Sequence, residues 1–169
     1  MIKNILITGS SGFIGQNLQK YLRPFYKLEA LSIRYFPGQK FDLVEDVIIH
    51  LGGKVHDLKK LSKPSEYYDA NFELTKQLFN SFLDSDTSVF IFMSTVKAVA
   101  DSVECILDET FISNPKTTYG KSKLAAESYI LNHKLPIGKR IYILRPCMIH
   151  GPGNKGNLNT LFNFVKKGI

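Results

Sequence analysis

Tyr119 and Lys123 stand four residues apart in a stretch, 117–132, that reads as a helix, so their side chains share one face and lie within reach of each other. A phenol with a pKa of about 10 is a poor acid-base group at neutral pH. An ammonium beside it favours the phenolate and lowers that pKa, which makes proton transfer accessible. Thr95 lies just past the apolar run SVFIFM at 88–93, with Ser94 before it, and its hydroxyl is placed to hold a substrate oxygen while Tyr119 moves a proton. Taken alone, a Tyr-x-x-x-Lys pair is common on solvated helix faces. It needs a second feature to carry weight.

That feature is at the start of the chain. Ile5 to Ile7 is a short apolar run of the kind that forms a buried parallel strand, and it breaks at Thr8 into glycines at Gly9, Gly12 and Gly15. In a strand-to-helix turn, Gly9 can take a positive φ and Gly12 lets backbone approach a pyrophosphate. Gly15 lets the helix lie close on the sheet. The following helix, 13–23, carries Phe13, Ile14, Leu18, Tyr21 and Leu22 on one face and aims its N-terminus at the anion. A merely tight turn is the alternative, and the strand before and the helix after favour dinucleotide binding. A nicotinamide would complete the chemistry: it carries the hydride while Tyr119 carries the proton, and the positive ring of its oxidised form acts together with the Lys123 ammonium to lower the Tyr119 pKa.

The elements that must position these groups follow in order. A second strand, 28–33, ends at Arg34. Dinucleotide folds place an acid roughly 20 residues past the glycines to bond the ribose 2′-hydroxyl, whereas an arginine suits a 2′-phosphate. Here Ser32 and Arg34 stand in that region with no acid, which favours NADP over NAD; Arg34 as an ordinary solvated loop residue is the alternative. The next strand, 47–51, follows too soon for a crossover with its own helix, so one strand of the usual six is expected to be missing or vestigial. Gly52 and Gly53 at its end would admit the adenosine and ribose, and His50 reads as a hydrogen-bonded core residue. A helix over 65–84, a buried strand over 88–93, an irregular loop over 96–116, the helix with Tyr119, a strand over 140–144 and a final helix over 158–167 complete the alternation. Strand and helix alternate throughout, which predicts a parallel sheet covered on both faces, with ligands at the carboxyl ends of its strands.

Composition narrows the class. At 169 residues and 44% apolar content there is material for one core, so one domain over 1–169 is expected. There is no run long enough to span a membrane and no secretory signal, so no membrane partner is expected. Cys105 and Cys147 have no metal-ligand spacing and are expected to be reduced, and the cytoplasm is the expected compartment. The net charge of +7 is scattered in singles and in pairs such as Lys59-Lys60 and Lys166-Lys167, so it points to a small anionic ligand, and nucleic acid is not expected.

The combination of motifs resembles the extended short-chain dehydrogenase/reductase family, in particular its nucleotide-sugar epimerases, dehydratases and 4-keto reductases. TGSSGFIG from Thr8 matches the family's TGxxGFIG loop, and Thr95 in FMSTVKAVA falls where the family has its catalytic serine or threonine. YGKSK from Tyr119 matches YxxxK, and LRPCMIHGPGNKGN from Leu144 resembles the LRP…GPG segment. IHLGG replaces the more usual HLAA, and KAVA after Thr95 departs from the family's tyrosine and glycine.

The resemblance implies that Tyr119 is the acid-base, that Lys123 lowers its pKa and bonds the nicotinamide ribose, and that Thr95 positions the substrate oxygen. It places Gly9, Gly12, Phe13, Ile14 and Gly15 at the pyrophosphate, and Leu51, Gly52, Gly53, Asn71 and Pro146 along an NAD or NADP molecule. It also implies a nucleotide-sugar substrate and a homodimer formed through the helix of Tyr119. The expected architecture is a Rossmann-type doubly wound α/β/α domain covering only the amino-terminal half of the family, with the carboxyl-terminal substrate part missing. Two functions follow from this: an oxidoreductase or epimerase of nucleotide-linked sugars, or a truncated or degenerate cofactor-binding module without turnover.

Overall fold

The structure, a computed structural model, describes all residues except 1, 3, 56–61, 105, 154–161, 163 and 167–169. Lys59-Lys60, Cys105, Lys167 and most of the helix expected over 158–167 therefore lie outside the described residues. Five parallel strands form one sheet: β1 (Asn4–Thr8), β2 (Lys27–Leu31), β3 (Val47–His50), β4 (Val89–Met93) and β5 (Arg140–Leu144). Their order is β2-β1-β3-β4-β5. The chain runs outward from β1 to β2, crosses back to β3 without an intervening helix, and continues outward in the other direction. That reversal opens a crevice between the carboxyl ends of β1 and β3, where such sheets bind ligands. It is the five-stranded Rossmann-type arrangement that the short 35–46 connection requires.

Alternation along the strands divides the core. Leu6, Ile48, Phe90 and Phe92 face α3 (Leu74–Asp84) and α4 (Thr118–Leu131), packing with Leu78, Phe79, Phe82, Ala126 and Ile130. Ile5, Ile7, Val47 and Ile49 face the other way, against Leu18 and Leu22 of α1 (Phe13–Leu22). Each fully buried side chain of this size contributes about 1.5–3 kcal/mol, so the aromatic layer of Phe79, Phe82, Phe90 and Phe92 anchors α3 and α4 beneath the site. Tyr21 leaves the expected apolar face of α1: it is 71% exposed and meets Phe25 at the surface.

The helix expected over 65–84 is three consecutive pieces. A short α2 (Pro64–Tyr68) passes into a π turn over Asp69–Glu73 and then into α3. The extra residue in the π turn rotates Asn71 inward, where it is fully buried. The irregular 96–116 stretch is also more ordered at its ends than its sequence suggests. It opens with a 3₁₀ turn, Val96–Ala98, and closes where Asp101 accepts hydrogen bonds from Lys116 N, Thr117 N and Thr117 Oγ1.

Candidate active site

The loop after β1 has the geometry of an anion cradle. Gly9 has φ +68°, and a Cβ there would meet Gly52 N at 2.7 Å, so only glycine lets the turn pass beneath the β3 loop. At Gly15 a Cβ would come within 2.5 Å of Gly9 O and 2.7 Å of Ser10 Cα, so this glycine packs α1 onto its own loop. The expected contact with the sheet is thus a contact with the turn. Gly12 differs from both: its Cβ would meet only Gly9 O, at 3.2 Å, and the residue is exposed. It is the N-cap of α1, no side chain caps the helix there, and its first turn holds no acid. The amides of Phe13, Ile14 and Gly15 are left by helix geometry without intrahelical acceptors, with the positive end of the dipole behind them. These residues fit a pyrophosphate on their own geometry. The loop after β5 comes back over the same place, with Pro152 O accepting from Asn17 Nδ2 at 3.0 Å and Gly151 beside the Phe13 ring.

Thr95, Tyr119 and Lys123 meet at the carboxyl end of β4. Thr95 is 8% exposed, caps the 3₁₀ turn by accepting from Lys97 N at 3.2 Å, and its side chain shares a hydrogen bond with the Tyr119 phenol. Lys123, 3% exposed, donates to Met93 O at 2.8 Å and lies 4.6 Å from the centre of the Phe92 ring. Burial lowers its pKa to about 8, against an opposing pull from Glu127. The expected lowering of the Tyr119 pKa does not follow from this geometry. Burial raises it, Thr95's hydrogen bond opposes the rise, and the ammonium is committed to the Met93 carbonyl.

Gly53 lies directly against this group, since a Cβ there would fall 2.7 Å from Asn71 Oδ1 and 3.3 Å from Lys123 Nζ. Asn71 accepts from Lys54 N at 2.7 Å and donates to Lys54 O and to Ser122 Oγ, which joins the π turn to the loop after β3 and to α4. Pro146 O accepts from Val96 N at 3.2 Å, so the segment after β5 is tied to the residue after Thr95. The structure thus gathers Gly53, Asn71, Thr95, Tyr119, Lys123 and Pro146 along one sheet edge, with Leu51 and Gly52 beside the glycine loop. Arg34 stands apart, exposed beyond the end of β2.

His50 is fully buried in β3 and sits inside one directed chain of hydrogen bonds. Thr75 Oγ1 donates to Asn71 O at 2.8 Å, so it accepts from His50 Nε2 at 2.9 Å; His50 Nδ1 then accepts from Thr8 Oγ1 at 2.6 Å. Thr8 Oγ1 in turn accepts from Gly52 N at 3.4 Å. Burial first, and the charge on Lys123 second, lower the His50 pKa to about 3. The unfolded chain titrates this group at about 6.5. Its neutrality therefore contributes stability that is whole above about pH 6.5 and is lost progressively as pH falls towards 3. Thermal melts should drop with a slope approaching about 1.4 kcal/mol per pH unit from this group, and His50→Gln should flatten that slope. An unchanged slope in the variant would show that His50 does not titrate on unfolding.

Two positions escaped the sequence reading. Glu127, 1% exposed on α4, accepts from Ser94 Oγ and from both Nε and Nη2 of Arg145. Gly120 is held against the 3₁₀ turn, where a Cβ would meet Lys97 O at 2.3 Å. A glycine in a helix interior is a visible anomaly, and a carboxylate one turn past Lys123 is a visible spacing. Both signals were available.

The sequence profile described as the NAD dependent epimerase/dehydratase family matches residues 40–167. The chain belongs to that family. Among curated members, the UDP-glucose 4-epimerase of Vibrio cholerae is 29% identical over 100% of this chain and 58% of its own length. The GDP-6-deoxy-D-mannose reductase of Pseudomonas aeruginosa is 30% identical over 92% of this chain and 55% of its own. The chain thus spans rather over half the length of these two relatives. Among solved structures, RMD from Pseudomonas aeruginosa complexed with NADPH superposes with a TM-score of 0.74 at 25% identity, covering 98% of this chain and 62% of that one. MoeE5 in complex with UDP-glucuronic acid and NAD has a TM-score of 0.77 at 21% identity, covering 95% and 60%, and shares the fold. Among the described residues, no helix is long and apolar enough to cross a membrane and no cluster of side chains could hold a metal.

Proposed function

We propose that this chain is the nicotinamide-binding and acid-base part of an enzyme that oxidises, reduces or epimerises a nucleotide-linked sugar. The observation that carries the reading is the convergence of Thr95, Tyr119 and Lys123 beside Gly53, on the sheet edge that also holds the uncapped N-terminus of α1. Bound nicotinamide supplies hydride transfer. The chain supplies the rest: the amides after Gly12 hold the pyrophosphate, with Gly9 and Gly15 shaping the turn. Leu51, Gly52, Gly53, Asn71 and Pro146 line the cofactor. Lys123 holds the ribose, Thr95 orients the substrate oxygen, and Tyr119 gives or takes its proton. The relatives named above act on UDP- and GDP-linked sugars by name, which supports a nucleotide sugar here. One domain over 1–169, a cytoplasmic location, pairing of copies through α4 and the absence of a nucleic-acid partner belong to the same reading.

Arg34 tunes the cofactor. Standing beyond β2 with no acid near it in sequence, it favours a 2′-phosphate, so calorimetric titration should show NADPH binding more tightly than NADH. Arg34→Ala should erase about tenfold of that preference and leave NADH affinity alone, as expected for one solvated charge-assisted contact. Equal affinities, or a ratio untouched by Arg34→Ala, would remove the NADP preference. Failure of both dinucleotides to bind would remove the proposed function itself.

A further inference from the structure

We propose that Glu127 is a positioning residue: its buried carboxylate provides the counter-charge to Lys123 and ties the ends of β4 and β5 together beside Thr95 and Pro146. This rests on Lys123 being the cation of the proposed site. The geometry is specific. Ser94 donates to Glu127 Oε1, Arg145 Nε lies 3.1 Å from both carboxylate oxygens, and Arg145 Nη2 lies 2.5 Å from Oε2. Ser94 immediately precedes Thr95, and Arg145 immediately precedes Pro146. One side chain on α4 therefore sets the spacing between two strand ends and the helix that carries Tyr119 and Lys123.

Architecture alone does not call for a carboxylate here. Glu127 lies between Ala126 and Ile130, both in the core, and a buried ion pair is frequently no more stabilising than apolar side chains of the same volume. What an apolar residue cannot do is act on Lys123. The groups facing that ammonium are Glu127 from its own helix, neutral His50 from β3, the Phe92 ring and Met93 carbonyl from β4, and neutral Asn71 from the π turn. Beyond Glu127 lies Arg145, paired to it from the end of β5. Among the described residues, Glu127 is the acid that pulls the Lys123 pKa upward against burial. Arg145 and Ser94 hold that acid in place. With a midpoint of about 8, Lys123 is about 90% charged at pH 7; one unit lower, about half of it would be neutral.

The test reads Lys123 directly and needs neither cofactor nor substrate. Protein carrying ¹³C at the lysine Cε positions is titrated by NMR, the Lys123 signal being the one absent from Lys123→Met. Glu127→Gln, which keeps shape and the Ser94 contact, should lower the Lys123 midpoint by about one pH unit or more. Glu127→Asp, which keeps the charge, should stay within about half a unit of the parent. A Gln variant that titrates like the parent, or an Asp variant that moves as far as Gln, would overturn the proposal, the latter by showing that packing alone matters. Should Glu127→Gln fail to fold with Arg145 left unpaired, the neutral pair Glu127→Gln with Arg145→Gln is titrated instead, and an unchanged midpoint there overturns the proposal equally. Loss of dinucleotide binding by the parent would refute the proposed function while leaving this titration to stand or fall by itself.

Discussion

Tyr119→Phe lowers turnover of UDP- or GDP-linked sugars by about 10²–10⁴-fold, the usual weight of a general acid-base group, and leaves dinucleotide affinity within about twofold. The asymmetry follows from the site. The phenol is mostly buried and hydrogen-bonded to Thr95, whereas the ring packs at the start of α4, so removing the oxygen takes away the proton carrier and leaves the helix in place. Steady-state kinetics with each nucleotide sugar, alongside calorimetric titration of the dinucleotide, check both halves. Turnover that survives Tyr119→Phe would sink the acid-base assignment. A parent that binds the dinucleotide and turns over no nucleotide sugar would favour the cofactor-binding module instead. Because burial holds the phenol above its ordinary pKa, the activity of the parent should climb towards alkaline pH in the oxidative direction, where Tyr119 takes a proton, and fall there in the reductive direction, where it gives one.

Gly12→Val abolishes dinucleotide binding, by on the order of 100-fold or more in affinity, while costing the fold only about 1 kcal/mol. Extended backbone at Gly12, φ −73° and ψ 169°, accepts a branched residue, and the added Cβ meets nothing but Gly9 O. The methyl groups then stand where the phosphates must approach the α1 amides. Gly15→Ala is the counter-example, since its Cβ would strike Gly9 O at 2.5 Å, and it should lower the melting temperature outright. A thermal-shift assay separates the two: the Gly12→Val protein should melt only about 2–6 °C below the parent without dinucleotide and fail to rise with it. A parent-like rise would show that Gly12 does not border the phosphates.

The strands were legible because parallel strands covered on both faces are nearly continuous apolar runs, as in Val47–His50 and Val89–Met93, and such runs are hard to mistake. Gly9 and Gly15 were legible as well, since a Cβ at either would strike backbone of the turn or of the loop beside it. The π turn was not. Nothing in DANFE announces an extra residue per turn; it exists because Asn71 satisfies the backbone of Lys54 and the hydroxyl of Ser122, contacts that span 17 and 51 residues of sequence. The orientation of the Lys123 ammonium was not legible for a related reason. Spacing put Lys123 next to Tyr119, yet the ammonium is oriented by Met93 O, a backbone atom 30 residues away that no side-chain pattern reveals. Glu127 lay within reach of a spacing argument, but its meaning depends on Ser94 and Arg145 arriving from two other strands.

The hydrogen bonds running from Gly52 through Thr8, His50 and Thr75 to Asn71 make three scattered positions a single heritable character. Each hydroxyl donates onward and accepts from behind, so the polarity of the whole row is set by its last acceptor, the Asn71 carbonyl. Thr8→Val would leave the Nδ1 lone pair of His50 unmet, Thr75→Val would strand its Nε2 proton, and His50→Phe would leave the Thr8 hydroxyl proton without its acceptor. Each such loss costs about 1–3 kcal/mol in a dry interior. A lineage can keep all three or exchange them together for an apolar set, but any route through one replacement at a time descends into a less stable intermediate. Residues 8, 50 and 75 are in this sense spelled as one word, although the gene stores them in three places.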